Sequence, residues 1–199
     1  MGSMGMAGLV PATDDVASWV EGWRCNPVAT PTEIAFVDGG LPALAALRAG
    51  LRPGVRQVLL ATDRPAIRQM AEALAGRRGL RAVHVLANGA PGRIGFAAGA
   101  LDRAGLAGHA RDLVTIGQAL GSGTLHLWCC RTAAGRAGRA FVAALSALVC
   151  APVAAATHAV GAATQGGQWS LDVRASARQA AQPASTSSTA PGPRSAAPC

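Results

Sequence analysis

Apolar residues along this chain follow two rhythms. Short runs that are apolar almost throughout alternate with longer stretches in which apolar positions recur every three or four residues. The first rhythm predicts strands buried on both faces, and the second predicts amphipathic helices. Residues 33–38 predict a first strand, stopped by Gly39 and Gly40. Pro42 opens a helix through Leu44 and Leu47, with proline at a first-turn position, and Gly50, Pro53 and Gly54 end it. Residues 55–61 predict a second strand. Asp63 is placed to cap a helix that starts near Pro65 and carries Ile67, Met70, Ala71 and Leu74 on one side, with Gly76 and Gly79 after it. Residues 83–87 predict a third strand that ends in a tight Asn88-Gly89 turn. Ala90, Pro91 and Gly92 form a further turn, and residues 93–97 pair as a small hairpin.

The second half continues the pattern. A short helix follows Leu101, and a longer one covers 109–120 with Leu113, Ile116 and Leu120 on one face. Gly121 to Gly123 break the chain before a fourth strand at 124–129. Residues 133–149 predict a helix with Phe141, Leu145 and Leu148 inward, and 153–157 a fifth strand. Gly166 and Gly167 precede a last strand at 168–173. Strand and helix alternate, which predicts an α/β domain: a mainly parallel sheet with helices on both faces. The expected organisation is a flexible segment over 1–31, the α/β domain over 32–174 and a disordered tail over 175–199, rich in Ser, Ala, Gln, Pro and Thr. Residues 140–171 carry no charge, but Pro152, Gly161, Gly166 and Gly167 interrupt them. A helix followed by a strand is expected there, and no membrane span.

Composition narrows the chemistry. The net charge is +8, and the chain has neither Lys nor Tyr. The arginines are scattered and aromatic residues are sparse, so nucleic acid is not an expected partner. Without Lys there is no phosphate-loop motif, and no cofactor is expected. The five cysteines stand at 25, 129, 130, 150 and 199. Their number and spacing fit neither a disulfide framework nor a zinc ribbon. Cys150 reads as a small core residue. His126 with Cys129 and Cys130 makes no metal site, because adjacent strand residues point to opposite faces. Met1 to Met6 lack the basic start and apolar core of a signal peptide, so the localisation is open.

Open parallel sheets place their sites beyond the carboxyl ends of their strands. Asp38, Asn88, Cys130 and His158 all fall at or just after predicted strand ends. A nucleophilic cysteine needs a base or a cation to hold it as thiolate. Asn88 takes no proton, so the candidate pair is Cys130 with His158. His84 and His126 read as packed strand residues with one satisfied nitrogen, and His109 as a surface residue near a helix start. Trp128 and Trp169 read as core residues of strands. Arg93, in the turn region, is either solvated or the holder of an acidic group.

Four segments in order carry a resemblance: 33–38 (EIAFVD), 83–93 (VHVLANGAPGR), 127–135 (LWCCRTAAG) and 167–171 (GQWSL). Over about Thr32 to Val173 the chain resembles domain-of-unknown-function family 4347. That domain typically sits near the N-terminus of large cadherin-like or haemagglutinin-like bacterial surface proteins. The family is similar in layout to caspase-like peptidases, in which a strand ending in His-Gly and a strand ending in Cys make the active site. The resemblance implies a three-layer, caspase-like fold with Cys130 as the family cysteine. Asn88 stands where the family has His, Cys129 where Gly is usual, and Arg131 where Asp is usual.

The expected function is therefore a non-catalytic recognition or structural module, related to the N-terminal domain of surface adhesins and carrying a degenerate His/Cys site. Asp38, Asn88, Gly89, Arg93, Cys129 and Arg131 are its candidate cleft residues. Protein or cell-surface partners and an extracellular setting are implied by the resemblance alone. Two rivals stand beside this reading. One is a cysteine hydrolase or self-processing peptidase using Cys130 with His158; the other is a truncated relic of a larger adhesin.

Overall fold

The computed structural model describes residues 32–42, 44–162 and 166–176. All lie in a compact unit that begins at Pro31. The flexible segment expected over 1–31, with Cys25, and the expected tail from residue 177 onward, with Cys199, lie outside the described residues.

Six strands form the main sheet: β1 (Glu33–Asp38), β2 (Arg56–Leu60), β3 (Ala82–Leu86), β7 (Thr124–Trp128), β8 (Val153–Ala155) and β9 (Val173–Ala175). Their order is β2-β1-β3-β7-β8-β9. All neighbours are parallel except β8 and β9, which are antiparallel. The four described α-helices are α1 (Leu44–Ala49), α2 (Ala66–Leu74), α3 (Ala110–Leu120) and α4 (Gly135–Val149). A 3₁₀ turn, Gly105–His109, leads into α3.

Side chains alternate across a strand, so each central strand feeds two cores. Ile34, Phe36, Val83, Val85, Leu125 and Leu127 pack with Ile67, Met70, Leu113, Ile116, Phe141 and Leu145 from α2, α3 and α4. Ala35, Val37 and Leu86 point the other way and pack with Leu41, Leu44, Leu51 and Val55, around α1. Helices therefore cover both faces of the α/β sheet, but unevenly. The second face also carries His84 on β3 and His126 and Trp128 on β7, of which Trp128 packs against this smaller cluster.

Local details differ from expectation in four places. Asp63 does not cap α2; Pro65 holds the N-terminal position, with no side-chain cap. Gln69 secures that turn instead, bonding both the N–H and the carbonyl of Ala61 and the carbonyl of Arg64. Cys150 is exposed and not in the core, because it ends α4 in the left-handed conformation at φ 51°. Asn88 and Gly89 do not turn the chain. They begin β4 (Asn88–Ala90), which pairs with β5 (Arg93–Phe96) and through it with β6 (Gly99–Asp102) in a small antiparallel sheet. The reversal falls at Pro91 and Gly92, with Gly92 at φ 81°. The last strand is 173–175 and not 168–173.

One glycine sets the packing of two helices. A Cβ on Gly117 would lie 1.8 Å from the Val149 carbonyl oxygen, so α3 and the end of α4 meet backbone to backbone.

Candidate functional site

β3 and β7 run parallel with Leu86 opposite Trp128, so the residues that follow each strand emerge side by side at one edge of the sheet. Gly89 makes the closest approach. A Cβ there would meet the Cys130 carbonyl oxygen at 2.5 Å, Thr132 Oγ1 at 2.6 Å and the Cys129 carbonyl carbon at 2.8 Å. Only glycine allows that contact. The hairpin is fastened to the same loop: Gly92 N–H donates to the Thr132 carbonyl at 3.0 Å, and the Thr132 hydroxyl donates to the Arg93 carbonyl at 3.4 Å. Arg131 sits at φ 59°, exposed, and its N–H donates to the His158 carbonyl at 2.8 Å. The fold thus gathers Asn88, Gly89, Arg93, Cys130 and Arg131 in one place.

Two other cleft candidates turn their side chains into the interior. Asp38 is buried, and both carboxylate oxygens accept from Ala97 N–H, at 3.1 and 3.2 Å. Its role there is to tie the β5–β6 connection to the end of β1. Cys129 is fully buried in the helical core, and its thiol donates to the Val85 carbonyl at 3.7 Å. Burial pushes its pKa up to about 12, which removes it as a thiolate.

The thiol of Cys130 is engaged by main chain. Its sulfur accepts from Val160 N–H at 3.3 Å and donates to the Val160 carbonyl at 3.5 Å. The His158 ring has different company. Its Nε2 lies 3.2 Å from Ser170 Oγ, and its Nδ1 lies 3.6 Å from Asp172 Oδ1. Asp172 in turn accepts from the N–H of Thr157 at 2.8 Å and from the Thr157 hydroxyl. The hydroxyl bond is the main reason that the Asp172 carboxyl titrates below the usual range. Among the described residues, no hydrogen bond joins Cys130 to His158.

The half-covered face of the sheet holds a polar cluster that the sequence did not single out. Glu33 is only 7% exposed. Its carboxylate accepts from Arg52 at 3.0 Å, from both Nε and Nη2 of Arg81, and from His84 Nε2 at 3.4 Å. The Arg81 hydrogen bonds are the largest cause of its lowered pKa. Trp128 Nε1–H donates to His84 Nδ1 at 3.1 Å. Both imidazole nitrogens are therefore satisfied in the neutral tautomer that carries its proton on Nε2. Burial lowers the His84 pKa and outweighs the attraction of Glu33. His126, whose ring stands edge-on to His84 with centroids 4.9 Å apart, is lowered to about 4, first by burial and then by His84.

Trp169 belongs neither to a strand nor to the core. It is 54% exposed and lies 6.0 Å, ring to ring, from the partly buried Trp128. A short charged strand end such as Glu33 gives no signal by itself. The signal available was its register: Glu33, Ala35 and Val37 share a face with His84, one strand away.

Among the described residues, no group of three or more His, Cys, Asp or Glu could hold a metal ion, and no helix is long and apolar enough to cross a membrane. The search of curated proteins and the search of solved structures each returned no match for the chain. A family model described as a domain of unknown function (DUF4347) matches residues 34–191. That match takes in both sheets, all four helices and the Asn88–Cys130 site, and the chain belongs to this family.

Proposed function

We propose that the chain is a recognition or structural module in which the His/Cys site is degenerate and carries out no thiol chemistry. One observation carries the reading. The chain packs Gly89 against the Cys130 loop, yet the residue just before it is an asparagine, and the Cys130 thiol is hydrogen-bonded to the Val160 main chain. An amide cannot accept the proton that a nucleophilic thiol must lose. A setting near the N-terminus of large bacterial surface proteins, with protein or cell-surface partners, follows from the family resemblance and is part of this proposal.

The rival reading, a cysteine hydrolase using Cys130 with His158, needs the imidazole at the thiol. The orientation of His158 toward Ser170 and Asp172 favours the module. The test is the rate of alkylation of Cys130 by iodoacetamide in the full chain, located by peptide mass spectrometry and set beside free cysteine under the same conditions. The expected result is a rate no faster than free cysteine, unchanged by His158→Ala, and raised by Asn88→His. A faster rate that His158→Ala abolishes would overturn the module reading in favour of the hydrolase.

A further inference from the structure

The return of the chain from β8 to β9 sets up a second constellation that uses His158 but not the thiol. In the antiparallel β8–β9 pair, Ala155 lies opposite Val173. Carried outward, that register sets His158 across from Ser170, and Gln168 N–H still reaches the Ala159 carbonyl at 2.9 Å. Ser170 and Asp172 are two residues apart, just before β9. Both meet the imidazole: Ser170 Oγ at Nε2, 3.2 Å, and Asp172 Oδ1 near Nδ1, 3.6 Å. The Asp172 carboxylate is itself held by the N–H and hydroxyl of Thr157.

A hydroxyl within reach of a base, and a base oriented by a third group, are the marks of an activated nucleophile. With the proton of the neutral ring on Nδ1, facing Asp172, Nε2 is free to accept from Ser170. We propose that Ser170, His158 and Asp172 form an acyl-transfer centre acting on exposed carboxylic esters. This goes beyond the module reading and is independent of the Cys130 thiol.

The step is a simple exchange. Ser170 Oγ attacks the ester carbonyl carbon while His158 Nε2 takes its proton; the bond to the leaving oxygen then breaks with its electron pair, and the imidazolium gives that proton to the departing alcohol, which returns Nε2 to its neutral form. The product is an O-acyl Ser170. Water then attacks the same carbon, loses its proton to His158 Nε2, and Ser170 departs with the proton that the imidazole returns. Asp172 holds the ring in place and stabilises its protonated form. Ser170 is exposed, so the centre reaches acyl groups presented at the surface without a deep pocket.

The experiment uses the full chain and p-nitrophenyl acetate, with nitrophenolate release followed by absorbance and the acetyl group located by peptide mass spectrometry. The chain has no Lys and no Tyr to compete for the label. Acetyl-Ser170 is expected, lost in Ser170→Ala. His158→Gln is expected to slow acylation by about a hundredfold, the low end for a positioned general base. A purely structural His158–Ser170 pair would leave Ser170 unlabelled. Absence of label at Ser170 together with nitrophenolate release no faster than in Ser170→Ala, or labelling that His158→Gln does not slow, overturns the proposal and leaves the module reading standing. Label on Cys130 in place of Ser170, formed faster than on free cysteine and slowed by His158→Gln, overturns both.

Discussion

Glu33 shows how a single buried charge is made tolerable. A carboxylate out of water costs far more than an ordinary contact returns, unless it is paired and hydrogen-bonded. Here two guanidinium groups and an imidazole N–H satisfy it, and the arginines keep most of their own surface in solvent, at 72% and 73% side-chain exposure. Glu33→Gln should therefore destabilise the fold by about 1–3 kcal/mol, the range for losing charge-assisted hydrogen bonds. The pH dependence has a definite sign. His84 and His126 titrate below the ordinary value in the folded chain, so as pH falls below about 6.5 the unfolded state takes up protons that the folded state refuses. Stability should fall from pH 6.5 toward about 4, where His126 titrates in the fold. Glu33, whose folded pKa is depressed, adds a further loss as the pH drops through that lower value. Urea midpoints measured between pH 7.5 and pH 4.5 check this, and His126→Gln should flatten the slope. A midpoint that rises on acidification would contradict the assignment.

At the scale of elements, β1, β2, β3, β7 and β8 were legible in the sequence to within one or two residues because each is a mainly apolar run between glycine or proline breaks. The helices were legible because their apolar positions recur every three or four residues, apart from the capping of α2, where a Gln69 clamp replaces the Asp63 signal. What the sequence could not show was pairing. Asn88 and Gly89 read as a turn because that dipeptide favours turns. They form a strand because Asn88 pairs with Gly95 and Gly89 packs on the Cys130 loop. The last strand was misplaced: residues 168–173 alternate polar and apolar like a strand, yet only Val173 to Ala175 pair with β8. The misplacement hid the approach of Ser170 and Asp172 to His158. Gly117 gives the element scale its own prediction. Alanine there must push α3 off the end of α4, so Gly117→Ala should cost at least about 1–3 kcal/mol through overpacking, despite the better helix propensity of alanine. A thermal melt against the parent chain measures it.

Across the described part of the molecule, the sheet is covered more heavily on one side than on the other. Three helices seal one face, while the second is closed by α1 and its flanking segments around Ala35, Val37, Leu86 and Trp128. Amide exchange should follow this layout. The central amides of β1, β3 and β7 are expected to exchange slowest, through global opening, and those of the edge strands β2 and β9 fastest. Equal protection across all six strands would show that cover on the second face is more complete than the described residues provide. That parallel strands deliver their ends to one edge was legible, and Gly89 meets the Cys130 loop there. Asp38 and Cys129 share that strand-end address but face the helical side, an outcome set by the two-residue alternation of the strand.

The contact that brings the hairpin to the cysteine loop is made by Gly89 and main-chain atoms, and not by the side chain of its neighbour. Position 88 is therefore free to change while the architecture around it stays fixed. Asparagine and histidine codons differ only in their first base. Descent could move this site between an inert and a proton-accepting form by a single nucleotide change, with no intermediate in which the scaffold must be rebuilt.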